Sequence, residues 1–388
     1  MNLFKILFYL QRGDKGLFDV SVEEQKNFIN KIPDPSNDLE RSFAQYICQN
    51  YYIAKWKVCL KNVISLFLIL PYLIYAFIKT IIPKHNKAGF KEDAIGTFKG
   101  MEEIIPSVLI EEYSIKNIGL DIEGGIALTK DDLVFLSSVL RLSKWHFYFF
   151  LKICVILSRY CGLIREYNPR AIIVHNECSF CSSIMTLYCE RHNILHVNVM
   201  HGEKLLFMRD AFFRFHKCYV WNQYYVDLFM QLRADKSQFI INLPKSLQID
   251  MKKYRNENAF ADFKYYLGYC TENRIRKIAD MLYLLKRKGY TIRLRPHPRY
   301  SDLNIIKKYV DDSDIESPTD VHIIESISNL NYAVGSYSTV LSQAFFSGQK
   351  VIVDDESDYD EYIKLKDYGY ILSNFKTFKL SNFINNYD

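Results

Sequence analysis

Residues 332–353 read YAVGSYSTVLSQAFFSGQKVIV. Tyr332-Ala-Val334 is a short apolar run, the pattern of a strand buried on both faces. Gly335-Ser336-Tyr337-Ser338-Thr339 is a turn of small and hydroxyl residues. Ser338 to Phe346 has the length and composition of a helix and is closed by Gly348. Lys350-Val-Ile-Val353 is a second apolar run. Strand, turn, helix and strand in immediate succession make a βαβ unit, the building block of a parallel sheet.

The same rhythm extends upstream. Thr291 to Arg295 reads as a strand and Asp302 to Val310 as a helix. Tyr265 to Tyr269 reads as a strand, with a helix from Arg274 to Lys288 closed by Gly289. Gln248 to Asn258 is rich in Lys, Asn and Asp and marks a linker over 246–260. Before it lies a second array. Its strands are expected at Ala171–Val174, Leu195–Met200, Lys217–Trp221 and Phe239–Asn242, its helices at Cys181–Arg191 and Tyr224–Arg233. The expectation is an α/β fold of two doubly wound, Rossmann-like domains facing across a cleft, 1–245 and 261–388.

An apolar stretch, NVISLFLILPYLIYAFI, spans residues 62–78. Lys55, Lys57 and Lys61 precede it, Lys79 and Lys84 follow it, and it contains Pro71. It is slightly short of the roughly 20 apolar residues that a spanning helix needs. A helix lying in the membrane interface, a buried helix and a true span all remain open. The first two leave the body of the chain in the cytoplasm.

Composition narrows the class. The chain has 388 residues, 49% hydrophobic and 24% charged, enough for two cores and not the make-up of a disordered chain. A formal charge of +6 suits an anionic small substrate or an acidic membrane surface. Arginine-rich arms, zinc-finger spacing and aromatic RNA-binding motifs are missing, so nucleic acid is not expected. The nine cysteines form no framework and no signal peptide is evident, which points to a reducing compartment. Cys178, Cys181, Cys189 and His192 have metal-like spacing, but they fall where a strand turns into a helix, and buried structural thiols explain them.

Four places can carry chemistry. Arg295-Pro296-His297-Pro298-Arg299 follows a strand at the carboxyl end of the sheet, where doubly wound domains bind ligands. Prolines on both sides fix the imidazole direction, and two arginines suit a phosphate. Next, Gly335, Ser336, Ser338 and Thr339 open a helix, with free backbone N–H groups for an anion or simply with serines that cap it. Third, in His201-Gly202-Glu203-Lys204, His201 or Glu203 can take a proton from a hydroxyl, or the turn is only a solvated glycine corner. His175-Asn176-Glu177 ends the preceding strand. Last, Asp121-Ile-Glu123-Gly-Gly places Asp121 and Glu123 before glycines, as a catalytic base or as a surface loop. Thr271, in the turn that opens the helix at Arg274, can add a phosphate contact. Asp312-Ser-Asp314 and Asp358-Tyr-Asp360 match a metal-holding triplet in letters but lie in acidic, polar stretches, so no metal and no cofactor is expected. Phosphate-loop, dinucleotide, nucleophile-elbow and zincin motifs are absent.

His297-Pro298 followed by Ser336, Ser338 and Thr339 resembles the bacterial GT-B sialyltransferases. Ile194 to Glu203 and Trp221-Asn222 resemble capsule and O-antigen polysaccharide transferases and the polyol-phosphate transferases of teichoic acid synthesis. The resemblance covers roughly residues 170–355. It implies a CMP-activated nonulosonic acid donor whose phosphate contacts His297, Ser338 and Thr339. It also implies a glycan acceptor, lipid-linked, at the inner face of the cell membrane. The two adjacent acids followed by glycine that serve as base in those sialyltransferases have no counterpart here beyond Asp121-Ile-Glu123-Gly124.

Overall fold

A computed structural model describes the chain except residues 1–2, 82–91, 99, 119–124, 257–258, 376 and 385–388. The chain divides into two compact units. The N-terminal unit holds Met1–His201 and Leu206–Leu243; the C-terminal unit holds Gly202–Leu205 and Pro244–Asp388.

The N-terminal unit is built on β1 (Ala94–Gly96), β2 (Ile115–Asn117), β3 (Ala171–Val174), β4 (Leu195–Val199), β5 (Lys217–Val220) and β6 (Phe239–Ile241). All pairs are parallel, in the order β2-β1-β3-β4-β5-β6. Ala171-Ile-Ile-Val174 is buried throughout, because helices cover both faces of a parallel sheet. The C-terminal unit has β7 (Ala261–Tyr266), β8 (Ile292–Arg295), β9 (Leu330–Gly335), β10 (Lys350–Val353) and β11 (Phe378–Lys379), again parallel, in the order β11-β10-β9-β7-β8. Both sheets start the same way. The second strand lies on one side of the first and the third on the other. That reversal is the switch point where doubly wound sheets bind ligands beyond the strand carboxyl ends.

Three expectations change. The strand expected at Tyr265–Tyr269 instead covers Ala261–Tyr266, starting four residues earlier, because Lys264 is fully buried against Glu316 and so can sit inside the sheet. The helix expected at 302–310 is one turn, Leu303–Ile306. The linker expected over 246–260 packs on the C-terminal unit: Ile249 N–H donates to Ser347 Oγ at 3.0 Å, and Asn256 N–H to Asn329 Oδ1 at 2.5 Å.

The apolar stretch lies within a helix, Lys55–Ile81, that continues past Pro71. One face packs on the helix Phe147–Tyr167, where Tyr72 Oη and Ser158 Oγ are 2.6 Å apart and Asn62 accepts from Tyr148 N–H at 2.9 Å. The opposite face exposes Trp56, Leu60, Val63, Phe67, Leu70, Ile74, Ile78 and Ile81. Steps of three and four residues place these on one side of a helix. Both this helix and Phe147–Tyr167 are long and apolar enough to cross a membrane, but most of the second is buried in the unit.

Candidate functional site

In the N-terminal unit the switch point brings the ends of β1 and β3 together. Phe98, after β1, packs edge-on against the His175 ring, after β3, with centroids 4.5 Å apart. The His201 ring, two residues past β4, lies 4.5 Å from His175. His201 Nδ1 is 3.5 Å from Glu177 Oε1, and Glu177 is fully buried whereas the His201 side chain is 41% exposed. Asn198, buried on β4, donates from Nδ2 to the other Glu177 oxygen at 3.2 Å and accepts from Asn176 N–H at 2.7 Å. Two glutamines one helical turn apart on Asp38–Asn50 pin this loop. Gln45 Nε2 donates to the Glu177 carbonyl and Gln49 Nε2 to the Cys178 carbonyl, both at 2.9 Å. The Glu177 carboxylate thus faces the Nδ1 edge of the His201 imidazole.

Glu203 goes elsewhere. It belongs to the C-terminal unit, where its Oε2 accepts from Ser342 Oγ at 2.7 Å, on the helix Thr339–Phe346. The two candidate bases of the His201–Glu203 turn therefore have different surroundings. Asp121 and Glu123 lie outside the described residues.

In the C-terminal unit the switch point lies between β7 and β9. A Cβ on Gly335 would sit 3.1 Å from the Tyr266 carbonyl, tight enough to explain a glycine at the end of β9. Ser336 and Thr339 are at least partly open to solvent. Ser338 caps the helix Thr339–Phe346, its Oγ accepting from Val340 N–H at 3.2 Å. Thr271 precedes the helix Glu272–Arg287 and is exposed, with no side-chain cap bond. The loop after β8 is tied to the one after β7 by Ser301, which donates to the Gly268 carbonyl at 3.3 Å and accepts from His297 N–H at 2.8 Å.

His297 is half-buried and stacks on Tyr300, with centroids 4.5 Å apart. Its Nδ1 accepts from Arg299 N–H at 3.0 Å, so the proton of the neutral ring sits on Nε2 as a donor. Burial, then the Arg299 charge, lowers its pKa and keeps the ring neutral. Pro298 and Arg299 are exposed beside it. Arg295 does not add to this charge. It points inward, giving Nη1 to Glu316 at 2.8 Å and Nη2 to the Val321 carbonyl at 2.8 Å, and is 6% exposed. Its expected phosphate contact gives way to a structural ion pair.

The acidic triplets are likewise occupied. Asp314 is buried against Lys286 at 2.6 Å, and Asp358 caps the helix Tyr359–Asp367. Among the described residues no three His, Cys, Asp or Glu side chains gather as a metal would need, and Cys178, Cys181 and Cys189 are free thiols. Burial raises the pKa of Cys181 to about 12, as expected of a structural thiol.

No family model and no curated protein matches the chain. Among solved structures, the glycotransferase of kitacinnamycin aligns with a TM-score of 0.43 and 10% identity, over 72% of this chain and 84% of that one. The wall teichoic acid polymerase TagF aligns at 0.41 and 12% identity, over 84% and 85%. A UDP-N-acetylglucosamine 2-epimerase from Rickettsia bellii aligns at 0.41 and 11%, over 76% and 92%. Likeness this distant assigns no activity.

Proposed function

We propose that the chain is a glycosyltransferase of GT-B type. It moves a nonulosonic acid such as sialic acid from a CMP-linked donor to a glycan acceptor, with inversion and without a metal. The supporting observation is a histidine just past a strand carboxyl end in each unit, His201 beside a buried carboxylate and His297 in a proline-flanked loop. In the N-terminal unit His201 Nδ1 faces the buried Glu177 carboxylate, and in the C-terminal unit His297 Nδ1 accepts from Arg299 N–H, which leaves its Nε2 as a donor. In this reading His201 takes the proton of the acceptor hydroxyl. The hydroxyl oxygen bonds to the anomeric carbon while the bond from that carbon to the phosphate oxygen breaks. CMP leaves with the electron pair, stabilised by His297 Nε2–H and the backbone N–H groups opening Thr339–Phe346. A second reading is transfer of a polyol phosphate from a CDP-linked donor, with His201 as the base. Its candidate base, His201, has a carboxylate 3.5 Å away, where the resembling sialyltransferases use an acid pair.

A thermal-shift panel of CMP, CDP, UDP and GDP tests the donor. CMP or CDP should raise the melting temperature and His297→Ala should cancel the rise, because a ligand of the folded state stabilises by mass action. A shift with UDP or GDP alone would refute the cytidine donor. Donor labelled in its phosphate then separates the two chemistries, since only the second leaves label in the product.

The acceptor is read as lipid-linked and the chain as lying on the inner face of the cell membrane, with the stripe from Trp56 to Ile81 in the lipid interface. Phe67→Glu with Leu70→Glu should release the protein from co-sedimentation with anionic vesicles. Unchanged pelleting would remove the stripe from the membrane contact.

A further inference from the structure

A cavity of about 850 Å³ opens in the N-terminal unit, between the helices Leu3–Gln11, Asp38–Asn50 and Phe147–Tyr167. Drug-sized ligands occupy cavities of roughly 300–1,000 Å³. Its wall has two characters. Leu7, Tyr52, Leu151, Val155 and Phe207 make an apolar lining. Lys15, Lys152, Arg159 and Arg209 add four cations, and the lining contains no Asp or Glu. Only Arg209 of these has an acidic partner among the described residues, Asp210 at 3.1 Å. Leu151, Lys152, Val155 and Arg159 follow helical spacing, so one face of Phe147–Tyr167 carries both characters into the cavity.

Behind the wall stands a fifth cation. Lys61 is fully buried, and its Nζ donates to Gln11 Oε1 at 2.8 Å and Asn50 Oδ1 at 2.7 Å. It lies 4.8 Å from the centre of the Tyr148 ring. Gln11 and Tyr148 both line the cavity. These partners are neutral, and burial lowers the Lys61 pKa to about 7. A buried ammonium without a counter-charge is costly and is relieved by an anion nearby. Lys61 belongs to the helix Lys55–Ile81, which also carries the exposed apolar stripe.

We propose that this cavity binds an amphipathic anion, a lipid phosphate or pyrophosphate, its chain against the apolar lining and its head on Lys15, Lys152 and Arg159. The proposal deepens the lipid-linked acceptor reading above and rests on it for the biological role. Binding itself does not require that the chain be a transferase.

Isothermal titration of the whole protein with farnesyl diphosphate, farnesol and inorganic pyrophosphate tests it. Farnesyl diphosphate should bind at least about tenfold tighter than either part. Lys152→Ala with Arg159→Ala should weaken it by about 10- to 100-fold, since each charge-assisted contact accounts for about a factor of ten or more. Val155→Glu, which puts an acid between those two cations, should abolish it. Wild-type circular dichroism and melting temperature without ligand should persist in both variants and serve as the control for folding. Equal binding by pyrophosphate alone or by farnesol alone, absence of binding, or unaltered affinity in the variants would each overturn the proposal. A protein that binds farnesyl diphosphate but no nucleotide keeps this site and loses the transferase reading.

Discussion

Glu316→Gln should lower the stability of the C-terminal unit by about 3–5 kcal/mol, the cost of removing one partner from a buried ion cluster. Glu316 receives Lys264 Nζ at 2.6 Å, Arg295 Nη1 at 2.8 Å and the Ser326 hydroxyl. Lys264 and Arg295 are 0% and 6% exposed, so the amide would leave two cations buried without an anion. Burial alone would raise the Glu316 pKa. The charge and hydrogen bond of Lys264, with those of Ser326 and Arg295, reverse this and hold it below its ordinary 4.5. A depressed carboxylate pKa stabilises the fold above the unfolded value, and the contribution is lost as pH falls below 4.5 through the folded value. The three tryptophans, Trp56, Trp145 and Trp221, all lie in the N-terminal unit, so their fluorescence is a poor reporter. Hydrogen exchange of peptides from 261–335 should show the loss directly. Protection equal to wild type would mean that the cluster contributes no net stability.

His201→Ala should reduce transfer by about 10²–10⁴-fold, the range for loss of a general base. Nucleotide stabilisation through His297 should be retained, which separates lost chemistry from lost donor binding. If Glu177 positions the imidazole it faces, Glu177→Gln should give a smaller fall in kcat with donor KM unchanged. The measurement is steady-state transfer with both substrates varied. Full activity in His201→Ala would move the base elsewhere, with Asp121 and Glu123 the first to replace.

The parallel sheets were legible wherever a strand was an uninterrupted apolar run, as at Ala171–Val174 and Lys350–Val353. β1, β2 and β11 are two or three residues long, too short for any period to register. β7 was misplaced because its fully buried lysine looks solvated until Glu316, far along the chain, is seen beside it. The histidine loops were found from their position after strands. The roles of Arg295 and Glu177 were not, since both depend on burial. An arginine next to His-Pro reads as a phosphate ligand, yet it turns inward to Glu316. Glu177 reads as the end of a strand on the same wall as His201, and it takes Asn198 and helix Asp38–Asn50 to enclose it.

The chain passes from one unit to the other at 201/202, 205/206 and 243/244. Cutting at Pro244 would therefore not yield two self-sufficient fragments. A polypeptide starting there would lack the Glu203 carboxylate that Ser342 bonds, and its complement would carry Gly202–Leu205 as an internal loop without its unit. Co-expressed halves would have to reassemble by fragment complementation, with that four-residue excursion supplied in trans.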